Sequence, residues 1–225
     1  MEDAVKLRLI SSRDESGNVR TFVFESAGLK WVAGQSQGYV LERLGPTEDV
    51  NQRWFTIASA PSEGVIHIST RVSQSAFKQA LNSMQPGDEI QAYGLEGDFV
   101  WEDSRDTVLV AGGIGITPYR SILVERDFLG MPLNCTLLYY NRDTQVPFQR
   151  DLEELESKHS EMKLRILIGE MITPESILSH APEAASRVTY ISGPEPMVEA
   201  VGNGLRSMNV DVRQDWFPGY DEHNF

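Results

Sequence analysis

The sequence predicts a two-domain protein: an N-terminal antiparallel β-barrel with one short helix over residues 1–103, then an α/β domain with a doubly wound parallel sheet over 104–225. Three observations predict it. From Val5 to about Trp101, short apolar runs follow one another across turn-forming residues, the pattern of antiparallel strands. From Thr107 onward, apolar runs alternate with helical stretches, which implies parallel strands joined by right-handed crossovers. Between the two lies a charged stretch, EDSRD at 102–106, that marks the boundary.

In chain order, the first half offers KLRLI, VRTFVFES after the turn DESGN, GYVLERL, RWFTIAS, VIHISTRV and DEIQAYG as strands. One helix, SAFKQALNSM, interrupts them and is stopped by PGD. The second half offers the strands TVLVAGG, CTLLYYN, LRILIGE, RVTYISG and VDVRQDWF. Helical stretches lie between them: PYRSILVERDFL, FQRDLEELESKH and EPMVEAVGNGLRSM. No internal repeat or low-complexity segment is present.

Composition narrows the chemistry. A formal net charge of -13 argues against nucleic acid or an anionic membrane surface as partner, because such binding is built on Lys and Arg. No run approaches the roughly 20 apolar residues of a bilayer span, and the acidic start MEDAVKLRLI lacks a signal-peptide core, so a cytoplasmic protein is expected. The single cysteine, Cys135, can neither close a disulfide within the chain nor supply the thiolates of a typical iron–sulfur cluster. Its apolar setting, CTLLYY, predicts a buried structural thiol. His67, His159, His180 and His223 show no metal-ligand spacing, and no GxSxG or HExxH occurs, so no metal site is expected.

Two clusters carry chemistry. AGGIGITP, Ala111 to Pro118, stands where an apolar strand meets a helix; glycines there let backbone approach a pyrophosphate at a helix N-terminus. A tight strand-to-helix turn with no ligand is the alternative. RWFT, Arg53 to Thr56, lies inside a strand, so Arg53 and Phe55 share one face and Thr56 takes the other. An ordinary barrel strand with a surface arginine is the alternative there.

Taken in order, RWFT, then GGIGITP at Gly112 to Pro118, then SGPEPM at Ser192 to Met197 resemble the ferredoxin-NADP reductase superfamily. The resemblance covers nearly the whole chain and includes SAFK at Ser75 to Lys78, PGDEI at Pro86 to Ile90 and DWFPGY at Asp215 to Tyr220. It implies an FAD-binding barrel and an NAD(P)H-binding α/β domain. It assigns Arg53 to the FAD pyrophosphate, with Trp54 beside it, Phe55 to stacking on the flavin ring and Thr56 to its N5. Phe55 stands where tyrosine is usual, so the phenol's hydrogen bond is lost. Thr70 and Arg71 would border the flavin chain, Arg71 being otherwise a solvated charge, and Ser75, Ala76 and Phe77 would offer backbone N–H groups.

For the coenzyme, the resemblance implicates Gly112, Gly113, Gly115, Thr117, Pro118, Gly193, Pro194 and Met197. Ser192 occupies the place of a frequent cysteine near the nicotinamide. Phe217 would cover the flavin with Asp215 near the reaction centre, Trp216 and Tyr220 being rivals and domain packing the alternative. Thr56, Ser192 and Asp215 are thus the candidate catalytic residues. Arg142, in YYNRDTQ, is the candidate contact to a 2′-phosphate and favours NADPH over NADH, although a loop arginine is often merely solvated.

The implied activity is hydride transfer from NAD(P)H to bound FAD, with electrons passed to an acceptor: a ferredoxin or flavodoxin, a haem or oxygenase component, or a small molecule. A reductase that uses flavin as substrate, and a non-catalytic flavin- or nucleotide-sensing subunit, are the alternatives.

Overall fold

The computed structural model describes residues 4–45, 51–97, 99, 101 and 106–217, with only the backbone at Phe217. The predicted boundary at 102–106 falls largely outside them, as does Tyr220.

The first half is a six-stranded antiparallel sheet. Its strands are β1 (Val5–Ser16), β2 (Val19–Glu25), β3 (Ser36–Val40), β4 (Gln52–Thr56), β5 (Val65–Arg71) and β6 (Glu89–Glu96), in the spatial order β4-β3-β6-β1-β2-β5. The two outer strands meet through a bridge between Ile57 and Ile68, which curls the sheet toward a barrel. β1 runs further than KLRLI predicts, because its pairing with β2 continues to Ser16↔Val19 across the turn at Gly17, whose φ of 58° suits glycine. β3 is shorter than GYVLERL predicts, since Glu42–Leu44 forms a 3-10 turn.

The barrel interior is a continuous apolar cluster that includes Leu7, Phe22, Phe24, Tyr39, Phe55, Ile66 and Ile68. Helix α1 (Ala76–Asn82) contributes Phe77 and Leu81 to it.

The second half is a five-stranded parallel sheet of β7 (Thr107–Gly112), β8 (Cys135–Asn141), β9 (Lys163–Ile168), β10 (Val188–Pro194) and β11 (Val212–Phe217). Helices α2 (Thr117–Phe128), α3 (Gln149–Lys158), α4 (Pro174–His180) and α5 (Glu195–Ser207) connect them. α4 is absent from the sequence reading; Pro174 at its first turn and Thr173, whose hydroxyl accepts from Ser176 N at 3.1 Å, start it. Alternation along the strands separates two cores. Leu109, Leu137 and Tyr139 face α2 and α3, while Val108, Val110, Leu138 and Tyr140 face α4 and α5.

The order β11-β10-β7-β8-β9 decides where a ligand can sit. The chain runs outward from β7 through β8 to β9, then returns to β10 on the other side of β7. The C-terminal ends of β7 and β10 therefore flank the topological switch point, where open α/β sheets bind ligands. No helix among the described residues is long and apolar enough to cross a membrane.

Candidate active site

At the switch point, close packing explains the glycines. A side-chain carbon at Gly115 would collide with the carbonyl of Ser192 and come within 2.8 Å of Gly193 Cα, so only glycine lets the turn after β7 lie against the end of β10. Gly113 sits at a φ of 54°, and Gly112 lies beneath the Met197 methyl, which would be 2.8 Å from a Cβ there. Pro194 and Ile172 border the same spot. Thr117 departs from a ligand-facing role: it is 2% exposed, and its hydroxyl donates to Ile114 O at 3.1 Å, closing its own turn. Pro118 is buried beside it and starts α2.

β10 and β11 then bring Ser192 opposite Asp215. Ser192 Oγ donates to Asp215 Oδ2 across 3.3 Å, a long bond, and burial pushes the Asp215 carboxyl up to about 6 against that bond's opposing effect. The neighbouring Tyr119 hydroxyl, held up by its own burial and by Asp215's charge, donates to Val110 O. A carboxyl so placed can hold or release a proton near neutral pH. Next in β11, Trp216 pairs with Gly193 and is 43% exposed. Phe217 takes the strand's last place, opposite Pro194.

On the barrel, β4 separates its side chains as the two-residue period requires, with one correction. Phe55 does not present a ring for stacking: it is 5% exposed and packs between Tyr39 and Phe77, with ring centroids 6.1 and 5.9 Å away. Without a phenol it has no polar end to anchor at the surface, and the interior takes the whole ring. Trp54, half-buried on the other face, is the accessible aromatic of the strand. It meets Tyr93 edge-on at 5.5 Å, above Gly94.

Thr56, on Trp54's face, is 3% exposed, and its hydroxyl has no hydrogen-bond partner in the protein. The Ser75 hydroxyl ahead of α1 is likewise buried and unpartnered. Unanswered hydroxyls of this kind cost about 1–3 kcal/mol each, a cost that a ligand's polar atoms remove. Ala76 is exposed beside Ser75, whereas Phe77 belongs to the core through its side chain. Arg53 is half-buried and donates to Gln52 O at 2.6 Å.

Thr70 is buried in β5. Arg71, at that strand's end, donates to Asn18 Oδ1 at 3.1 Å. Burial lowers its pKa, Tyr139 and Asp143 oppose that shift, and Arg142 adds to it, so Arg71 lies within electrostatic reach of the loop after β8. Arg142 itself is exposed. Cys135 is 1% exposed with its thiol pushed up to about 12 by burial, an inert core residue as expected.

Residues 109–203 match the family model described as oxidoreductase NAD-binding domain, which spans the glycine turn and the Ser192–Met197 segment. This chain carries an oxidoreductase NAD-binding domain and is similar to ferredoxin-NADP reductase-like oxidoreductases. Over 209 residues, 87% of this chain and 84% of the relative, it is 29% identical to ferredoxin--NADP reductase B of Sorangium cellulosum. It is 24% identical to the flavohemoprotein of Pseudomonas aeruginosa over 93% of this chain and 57% of that protein. The chain spans about half the length of the flavohemoproteins it matches.

Among solved structures, the ferredoxin NADP+ reductase from Neisseria gonorrhoeae with bound FAD and NADP superposes with a TM-score of 0.80 at 16% identity, covering 95% of this chain and 98% of that one. That likeness shows the shared two-domain fold.

In this ferredoxin-NADP reductase-like frame, the structure gathers Gly112, Gly115, Ser192, Gly193, Pro194, Met197 and Asp215 at one end of the sheet. It sends Phe55 to the barrel core and Thr117 into its own turn. Sequence reading also missed Arg120 and Glu63, which meet across the domain junction at 2.7 and 3.0 Å. The signal available was an arginine inside the apolar helix start PYRSIL; its partner lies 57 positions earlier, where no local pattern points to it.

Proposed function

We propose that the chain is an NAD(P)H-dependent flavoprotein reductase that accepts a hydride onto bound FAD and passes electrons to a further acceptor. The observation that carries this reading is the Ser192–Asp215 pair at the switch point of a sheet matching the oxidoreductase NAD-binding domain. The unpartnered hydroxyls of Thr56 and Ser75 on the barrel fit a flavin there. Bound FAD supplies an acceptor that takes two electrons together and can release them singly.

The chain's own residues bind and orient. Arg53's planar fork suits a pyrophosphate, with the N–H groups of Ser75, Ala76 and Phe77 and the Arg71 charge nearby. Thr56 donates to the flavin ring, Trp54 lends the strand's accessible aromatic surface, and Thr70 lines the chain. Gly112, Gly113 and Gly115 offer backbone to the coenzyme's diphosphate, with Thr117 and Pro118 starting the helix behind them, while Gly193, Pro194 and Met197 border its nicotinamide. Ser192 and Asp215 hold a proton beside the reacting rings, with Phe217 at the edge. Arg142, exposed after β8, is the contact that favours NADPH.

The acceptor is read as a haem or oxygenase component. Relatives are named as flavohemoproteins and as monooxygenase reductase subunits or components. The charge of -13 repels an acidic ferredoxin at long range.

Anaerobic titration of the desalted yellow protein with NADH and NADPH tests the reading. Bleaching of the flavin absorbance, more readily by NADPH, is the expected result. A retained flavin that neither coenzyme bleaches would sink the reading in favour of a sensing subunit, and a colourless desalted protein would point to flavin as substrate.

A further inference from the structure

The junction between the domains is held by a buried guanidinium. Arg120, in the first turn of α2, is 5% exposed. Its Nη1 donates to Ala58 O at 2.9 Å and to Glu63 Oε2 at 2.7 Å, and its Nη2 donates to Glu63 Oε1 at 3.0 Å. On the opposite side its Nε donates to Asp151 Oδ2 at 3.1 Å, and its plane lies 5.3 Å from the Phe148 ring. Ala58 and Glu63 belong to the barrel, Phe148 and Asp151 to the start of α3. One side chain thus uses its whole fork to join the two domains.

Around it the same helix face grips the same loop. Ser121 Oγ donates to Ser59 O at 2.7 Å, and Ser62 N donates to Glu125 Oε2 at 2.8 Å. Glu63 Oε2 also accepts from Ala60 N at 2.7 Å, which fixes the carboxylate on its own turn. The loop from Ala58 to Glu63 is therefore fastened to α2 at three side chains.

Position gives this fastening its meaning. Ala58 lies two residues after Thr56, the unpartnered hydroxyl of the barrel. Arg120 lies five residues after Gly115, which abuts Ser192 at the switch point. The Arg120 fork thus lies on a short covalent and hydrogen-bonded route between the two half-sites. We propose that Arg120, with Glu63, is a positioning residue that sets the approach of the flavin-facing strand to the coenzyme end of the sheet.

Stability alone is a weak account of such a pair. Burying the guanidinium is costly in desolvation even with a half-buried carboxylate beside it, and well-packed apolar residues often stabilise as much or more. What a bidentate fork adds is a fixed geometry, and hydride transfer is steeply sensitive to geometry: a displacement of about 1 Å can cost on the order of 100-fold in rate.

The inference rests on the reductase reading, and the test separates the two. Stopped-flow reduction of the flavin at saturating coenzyme would be measured for the wild type, Arg120→Met, Arg120→Lys and Glu63→Gln, with FAD affinity, coenzyme affinity and reduction by dithionite measured in parallel. Arg120→Met is expected to lower the limiting rate about 10- to 100-fold while both affinities stay within about twofold and dithionite reduction is unchanged. Arg120→Lys should recover part of the rate, since a point charge cannot fork.

Should Arg120→Met fail to fold, Glu63→Gln removes the charge from the barrel side with size preserved, and a fall in its limiting rate is expected too. Unchanged limiting rates in folded variants overturn the inference, as does a loss matched by equal loss of FAD or coenzyme affinity. If neither coenzyme reduces the wild-type flavin, the reductase reading itself fails, and the step that Arg120 serves goes with it.

Discussion

The two sheets present their candidate ligand groups in different ways. The barrel offers side chains from strand and loop positions, with the hydroxyls of Thr56 and Ser75 buried and unpartnered. The parallel sheet offers strand ends and close-packed backbone, where Gly115 leaves no room for a side chain against Ser192 and Gly193. The difference teaches where substitution is tolerated. A side-chain site can lose one group and keep its shape, whereas a backbone site loses its shape with one added carbon.

Gly115→Ala should break the contrast most severely. Its methyl would have to push β10 or the turn aside, costing about 1–3 kcal/mol of stability and displacing Ser192 along with the coenzyme site. Denaturant unfolding and coenzyme-dependent flavin reduction check it; a variant of wild-type stability and rate would show that the turn yields. On the barrel side, Arg53→Ala should leave the fold intact and weaken FAD binding about 10- to 100-fold, in line with a charge-assisted phosphate contact of about 1.5–3 kcal/mol. Fluorescence titration with FAD measures it, and unchanged affinity in folded protein removes Arg53 from the site.

A third test uses Asp215, a carboxyl that burial pushes up. Asp215 has a folded pKa of about 6 against an ordinary 3.8, so above pH 6 the folded chain carries a penalty that disappears as pH falls toward 3.8. Asp215→Asn should therefore be more stable than wild type by roughly 2–3 kcal/mol at pH 7, the gap closing by about pH 4. Urea unfolding across that range decides, and a gap independent of pH would contradict the assignment. His67 works in the opposite sense. Burial first, and then the charges of Arg120 and Arg13, press its pKa down to about 4 despite Glu63, so the fold loses stability as pH drops from 6.5 toward 4. The two groups partly cancel in the wild type, and the variant exposes the histidine's acid sensitivity.

Thr56→Val is the mildest change. It removes a hydroxyl that no protein group answers, so stability should hold or rise by up to about 1 kcal/mol, while flavin reduction slows. A drop in thermal stability would show that the hydroxyl already has a partner.

Much of this was legible in the sequence. The switch from closely spaced strands to strand–helix alternation corresponds to the two sheets, whereas the meeting of Ser192 and Asp215, 23 positions apart, comes from the parallel pairing of β10 with β11. Period-two alternation in β4 correctly set Phe55 and Thr56 on opposite faces. It could not say which face was the interior, and the resemblance alone put Phe55 outward. Gln37, opposite Phe55 in β3, and the Tyr39 ring beside it, both buried, decide that the ring goes inward. Arg120 and Glu63 were illegible for another reason: a lone charged residue in an apolar run has no local partner to identify it, and only the packing of two domains supplies one.

The exposure of Trp216 has a practical consequence. Trp31 and Trp101 are enclosed and Trp54 is half-covered by its neighbours, but the indole that follows Asp215 stands in water at the rim of the strand ends. Its light emission should change colour and intensity when a planar ring settles beside Gly193, giving the protein a built-in optical gauge of coenzyme arrival that needs no label.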